Sequence, residues 1–242
     1  MHAVIMAGGK GIRLRPYTTR LPKPLVPIGD EHSILDIVLN QLVHNGFDRV
    51  TLAIGHLGEL IRSYAGDGSR WGLAIDYHEQ ESALGTMGPV LELLDRLPDR
   101  FLVMNGDVLT DLSYVDLMRQ HAGSGAPLTV ATFQRQVRVD FGVLSTQDGV
   151  VTDFVEKPKL DYRVSMGVYG LTRAALSRYT PGLPFGFDEL VLDLLARGTP
   201  PHEYAFDGYW LDIGRPDDYD RANAEFDLIR DSLLKVGPCG SS

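Results

Sequence analysis

The chain has 242 residues, 44% of them hydrophobic and 23% charged, a composition that supports a substantial core and excludes a disordered polar chain. Its 23 basic and 32 acidic residues leave a formal net charge of −9, the wrong sign for a surface that tracks a nucleic-acid backbone. The lone Cys239 allows no internal disulfide and no cysteine zinc site, which fits a reducing, cytoplasmic home, and no apolar run approaches the ~20 residues of a membrane span.

Residues 3–6 are a short apolar run stopped by glycines, the pattern of a buried strand opening into a loop and too brief for the core of a signal peptide. The loop that follows, from about Ala7 to Glu31, is rich in Gly, Pro, Arg and Lys, and loops of that length inside a compact domain are usually functional. Ser33 and Asp36 form a capping-box pattern ahead of Ile34, Ile37, Val38, Leu42 and Val43 at helical spacing, with Gly46 as the stop. Strands are expected at 49–54 and 73–78, a short helix at 59–64, a turn at Gly66-Asp67-Gly68 and a helix at 87–96. A buried strand over 101–104 ends in Asn105-Gly106-Asp107. A helix at 116–121 and an extended run at 128–133 precede three successive strands at 141–145, 150–155 and 164–171, with helices at 188–196 and 216–230. Strands alternating with helices predict a parallel sheet, and the later run of strands predicts antiparallel additions. The expectation is one α/β domain over 1–230, with a Rossmann-like mixed, mainly parallel sheet flanked by helices, and a C-terminal tail over 231–242.

The most informative stretch is Gly8-Gly9-Lys10-Gly11-Ile12-Arg13-Leu14-Arg15-Pro16 with Pro22-Lys23-Pro24-Leu25. Glycines directly after a strand let the backbone approach a bulky anion, and successive N–H groups form an anion-binding nest. Arg13 can fork onto phosphate oxygens, and Lys23, stiffened by proline on both sides, can supply a point charge. The dinucleotide pattern G-x-G-x-x-G would need glycine at Leu14, and the Walker pattern would need Ser or Thr where Gly11 follows Lys10.

This stretch resembles the signature of the sugar-1-phosphate nucleotidylyltransferases, approximately GGxGxRLxP…PKPL, departing from it at Ile12, where threonine is commoner. The resemblance runs from Met1 to about Asp227. It implies the nucleotide-diphospho-sugar transferase fold, often as dimers or tetramers, so a homo-oligomer is possible. It also implies that Ala7, Gly8, Gly9 and Gly11 wrap a nucleoside triphosphate while Arg13 and Lys23 act on the reacting phosphates.

Asp107, at the carboxyl end of a buried strand, points into the crevice where open α/β sheets bind ligands. Magnesium takes oxygen ligands, commonly one or two carboxylates plus substrate phosphates, and the natural second carboxylate is Asp212 in Trp210-Leu211-Asp212-Ile213-Gly214. The family's metal aspartates lie in motifs similar to these two.

At the end of a strand, Glu156-Lys157-Pro158 offers a base for a sugar phosphate and an acceptor for sugar hydroxyls, the role its counterpart has in the family. Asp140-Phe141-Gly142-Val143 and Ser165-Met166-Gly167-Val168-Tyr169 resemble sugar-pocket segments, in which Gly142 and Gly167 leave room for a pyranose ring. The second departs from the family, which often has Asn before a small residue at Ser165-Met166.

Glu79-Gln80-Glu81-Ser82-Ala83-Leu84-Gly85-Thr86-Met87-Gly88 is similar to the nucleotide-selecting segment, so Glu79, Gln80, Gly85 and Thr86 are assigned to the nucleotide. Its Leu-Gly-Thr form resembles mannose-1-phosphate guanylyltransferases more than thymidylyltransferases. Gln80 carries both donor and acceptor and would equally serve uracil or thymine. The expected reaction is Mg²⁺-dependent transfer of a nucleoside monophosphate to a sugar-1-phosphate, with GTP and mannose-1-phosphate the leading pair.

Two other classes compete. A nucleotide-sugar-dependent glycosyltransferase would not need the glycine-rich loop with Lys23. A non-catalytic sugar-nucleotide sensor would not need Arg13, Lys23, Asp107 and Asp212 together.

Overall fold

Strand β1 (His2–Ala7) is buried on both faces, with Ala3, Val4 and Ile5 at 0% exposure, as befits a central strand covered from both sides. The computed structural model describes residues 1–80, 82 and 84–234, so Glu81, Ala83 and most of the expected tail lie outside the described residues.

The long loop after β1 coils through three tight 3₁₀ turns, Ile12–Leu14, Tyr17–Thr19 and Lys23–Leu25. It closes in a small antiparallel ladder between β2 (Pro27–Ile28) and β3 (His32–Ser33). Buried Leu14, Val26 and Ile28 pin the loop to the core.

Ser33 then caps α1 (Ile34–His44) as expected. Its hydroxyl accepts the Asp36 N–H at 3.1 Å, and the Asp36 carboxylate accepts the Ser33 N–H at 2.9 Å. Ser33→Ala is expected to cost about 1 kcal/mol, a drop of about 2–4 °C in the thermal midpoint for a chain of this size. An unchanged midpoint in thermal unfolding would show the cap to be idle.

The remaining elements follow in the order β4 (Arg49–Ile54), α2 (Gly58–Ala65), β5 (Ala74–Glu79), α3 (Gly88–Leu93), β6 (Arg100–Asn105), β7 (Val108–Thr110) and α4 (Tyr114–Ser124). Then come β8 (Leu128–Arg138), β9 (Val143–Gln147), β10 (Val150–Val155), β11 (Lys159–Thr172), α5 (Arg173–Leu176), α6 (Phe187–Ala196), β12 (His202–Phe206), β13 (Trp210–Asp212) and α7 (Pro216–Leu234).

The main sheet has seven strands in the order β12-β8-β11-β6-β1-β4-β5. Only β11 runs against both of its neighbours, so six of the seven strands point the same way. This is the mixed, mainly parallel sheet that the pattern predicts.

Alternate residues of β1 feed opposite layers. Ala3 and Ile5 pack with Leu35, Leu39 and Leu42 of α1, while Val4 packs with Val90 of α3 and Leu190 of α6. Among the described residues no helix is long and apolar enough to cross a membrane.

Among the described residues five strands go beyond the sequence-based expectation, the short β2 and β3 of the loop together with β7, β12 and β13. β12 adds a parallel edge beside β8, and β7 pairs antiparallel with β13, with Asp212 opposite Val108. β8 and β11 are longer than expected, and β9 and β10 form a separate exposed hairpin.

Candidate active site

The parallel strands β1, β4, β5 and β6 end on one side of the sheet, where Ala7, Gly55, Gln80 and Asn105 carry the chain into loops. Crevices outside the carboxyl ends of such strands are where open α/β sheets bind ligands. Two adjoining cavities lie there, of about 330 and 670 Å³, within the size range of small-molecule sites.

The smaller cavity is walled by the glycine-rich loop, with Ala7, Gly9, Gly11, Arg13, Lys23 and Asp107 among its lining. Gly11 makes the loop turn back: at φ 60° its carbonyl accepts the Leu14 N–H at 3.0 Å and the Thr18 hydroxyl at 2.7 Å. A Cβ there would stand 2.9 Å from the Thr18 methyl, so the turn needs glycine.

Lys23 enters between Pro22 and buried Pro24, and its Nζ donates directly to Asp107 Oδ2. The pair is mostly shielded, with side chains 11% and 24% exposed. The second oxygen, Asp107 Oδ1, is buried with no hydrogen-bond partner.

The β7–β13 ladder brings Asp212 alongside. The Ile213 N–H donates to the Asp107 carbonyl at 3.0 Å, which stitches the two aspartate segments together. Burial, and next the Asp107 charge, push the Asp212 carboxyl above its ordinary range, while Lys23 and Arg13 pull it back. Four residues separated by as much as 199 positions thus form one electrostatic cluster.

The cluster offers oxygen ligands only. Among the described residues there is no group of three or more His, Cys, Asp or Glu able to hold a metal. Two carboxylates whose remaining partners would come from phosphate and water are the ordinary protein share of a magnesium site, and the unpartnered Asp107 Oδ1 is an acceptor in need of one.

Beneath Asp212, Trp210 is packing: its indole N–H donates to the Met166 carbonyl at 3.1 Å and its ring lies 5.3 Å from that of Phe133.

The larger cavity is lined by Gly8, Gln80, Gly85 and Thr86, together with His56 and Asn105. Gly85, at φ 74°, leaves room for the Phe185 carbonyl, which would lie 2.7 Å from a Cβ.

Residues Phe185–Phe187, which the sequence does not single out, brace this loop. The Phe185 N–H donates to the Leu84 carbonyl at 2.9 Å, and the Phe185 carbonyl accepts the Met87 N–H at 2.9 Å and the Gly88 N–H at 3.2 Å. The Phe187 N–H donates to Thr86 Oγ1 at 2.8 Å, so that hydroxyl already has a structural duty. All but the last of these contacts join backbone to backbone and leave no motif to read.

Other expected residues sit apart. Glu79 lies outside both cavities, its carboxylate 3.8 Å from the Arg62 guanidinium. His78 is bonded to Glu92 at 2.8 Å.

Gly142, Glu156 and Lys157 stand at the base of the β9–β10 hairpin, lining neither cavity. There Glu156 and Lys157 approach each other to 3.8 Å, and Gly142 packs on the Phe154 ring. Gly167, in β11, instead lies against the side chain of Asn105, which lines the larger cavity.

Residues 2–227 match the model of a family described as nucleotidyl transferase. The chain is 31% identical over 239 residues to the UTP–glucose-1-phosphate uridylyltransferase of Synechocystis sp., covering 90% of this chain and 61% of that protein. It is 30% identical over 231 residues to the mannose-1-phosphate guanyltransferase of Schizosaccharomyces pombe, covering 90% and 62%. The chain thus spans about three fifths of the length of these relatives. In fold it is similar to the crystal structure of a candidate glucose-1-phosphate thymidylyltransferase from Bacillus anthracis, with a TM-score of 0.74 at 23% identity, over 100% of this chain and 98% of that one.

Proposed function

Because the chain belongs to the nucleotidyl transferase family, we propose that it transfers a nucleoside monophosphate from a nucleoside triphosphate to a sugar-1-phosphate, releasing pyrophosphate. The observation that carries this reading is the shielded Lys23–Asp107 pair on the wall of the smaller cavity, with Asp212 and Arg13 in its field.

A phosphate monoester is mostly dianionic at neutral pH, with a second pKa of ~6, so the nucleophile needs no general base. What the protein must do is hold two repelling anions in line and offset their charge. Arg13 can grip phosphate oxygens through its planar fork, and Lys23 brings a point charge held in place by Asp107. Asp107 and Asp212 would hold Mg²⁺, which when bound supplies charge neutralisation at the transferring phosphoryl group. The larger cavity, with Gln80, Gly85 and Thr86, takes the nucleoside. The exposed Glu156 and Lys157 take the sugar phosphate if their hairpin approaches the bound nucleotide.

GTP with mannose-1-phosphate is the leading substrate pair, on the form of the Leu84-Gly85-Thr86 segment and the guanyltransferase among the relatives. The test is a pyrophosphate-release screen crossing ATP, CTP, GTP, UTP and dTTP with hexose and heptose 1-phosphates in Mg²⁺. Release that depends on both substrates is expected, greatest for GTP. Silence across the whole grid would overturn the reaction class, and a better base would overturn only the guanine assignment.

A further inference from the structure

The two cavities adjoin, and the residues that line both and so divide them are Met6, Gly9, Lys10 and Asp107. Among the described residues Lys10 is therefore the one basic residue that lines both spaces. Arg13 and Lys23 line only the smaller one.

The three cations also differ in how far they are already engaged. Lys23 is bonded to Asp107, and the Arg13 guanidinium lies in a cluster with Asp212 and Asp218 around Gly214. Lys10 has no ion pair and no hydrogen bond among the described residues, and it stands on the exposed crest of the loop between Gly9 and Gly11.

We propose that Lys10 is a further catalytic residue, which contacts the oxygen bridging the α- and β-phosphates and the β-phosphate itself, and which stabilises the pyrophosphate that departs. This rests on the reaction proposed above. A nucleotide with its nucleoside in the larger cavity and its terminal phosphates in the smaller must lay its phosphate chain across the divide that Lys10 borders. In the transfer, a bond forms from the sugar-phosphate oxygen to the α-phosphorus, and the bond from that phosphorus to the bridging oxygen breaks. The electron pair of the broken bond stays on the bridging oxygen, so charge grows on the leaving group and no proton need move. A cation with no carboxylate partner is worth most there, because none of its charge is offset before substrate arrives.

The experiment compares wild type, Lys10→Met and Lys10→Arg. Binding of GTP and GMP is measured by calorimetry in Mg²⁺, with UTP and UMP alongside, and turnover is followed in both directions. Lys10→Met is expected to weaken triphosphate binding about 10- to 100-fold, the scale of one lost hydrogen bond to a charged group, and to leave the monophosphate within about twofold. KM for pyrophosphate in the reverse reaction should rise with the triphosphate constant while KM for the sugar-1-phosphate stays put, and Lys10→Arg should recover most of the loss. Equal weakening of triphosphate and monophosphate, or of neither, would overturn the assignment. So would failure of Lys10→Arg to recover anything.

The binding arm separates this inference from the reaction it rests on. Wild-type protein that binds triphosphate through Lys10 yet releases no pyrophosphate with any sugar-1-phosphate would remove the reaction and leave the contact. Wild-type protein that binds no triphosphate removes both.

Discussion

Asp107→Ala and Lys23→Met should each lower kcat by roughly 10²–10³ or more, the scale of a lost electrostatic stabiliser, with the fold retained. The two side chains form one device. Lys23 is 11% exposed and its ammonium is fixed by its bond to Asp107, whose other oxygen is buried without a hydrogen-bond partner. Removing Asp107 would therefore take away the proposed metal ligand and the partner that holds the Lys23 ammonium. Removing Lys23 leaves two carboxylates facing each other with less positive charge between them. The losses should not add: the double variant should be little worse than the worse single one, because each substitution disables the same arrangement. Turnover is measured as pyrophosphate release at saturating substrates. Raising Mg²⁺ should not rescue Asp107→Ala. Near-normal turnover in either single variant would sink the role given to the pair.

Much of this was legible in the sequence because the signals are local. The Ser33–Asp36 cap, the glycine turn after β1 and the strand ending at Asn105 each lie within a few residues of the chain, where a short-range pattern can specify them. What the sequence hides is pairing at long range. β7 and β13 are three residues each, too short to show any periodicity, yet their ladder is what sets Asp212 beside Asp107. β12 does alternate half-buried Tyr204 and Phe206 with exposed Glu203 and Ala205, but so brief a pattern reads as loop until β8 is there to receive it.

The structure places Glu79 and Gln80, expected together at the nucleotide, on different sides of the chain for a simple reason. Neighbours on an extended chain point to opposite sides, so when Gln80 lines the cavity Glu79 turns to Arg62. The brace from Phe185–Phe187 had no signal at all, since a backbone carbonyl that accepts two N–H groups looks like any other carbonyl in the sequence.

Asp212→Asn should separate stability from function. It is expected to lower kcat about 10²-fold or more while raising the thermal midpoint of the metal-free protein. The Asp212 carboxyl sits above its ordinary range because it is partly buried and faces the Asp107 charge, with Asp218 adding in the same sense. A carboxyl raised in this way holds its proton more tightly when folded than when unfolded. Its ionised form therefore opposes folding at neutral pH. That penalty fades as pH falls through the raised folded value, and it is gone below the ordinary value of 3.8, where both states are protonated. Asparagine keeps the shape and removes the charge, so its advantage in EDTA should be greatest near neutrality and vanish in acid. Mg²⁺ should reverse the order, since an ion that binds the native state stabilises only the protein that can hold it. Midpoints for the two proteins across pH, with EDTA and then with Mg²⁺, decide the matter. If the wild type is the more stable in EDTA at neutral pH, Asp212 is a structural carboxylate satisfied within the fold, and no strain is being kept there for a metal and a phosphate to relieve.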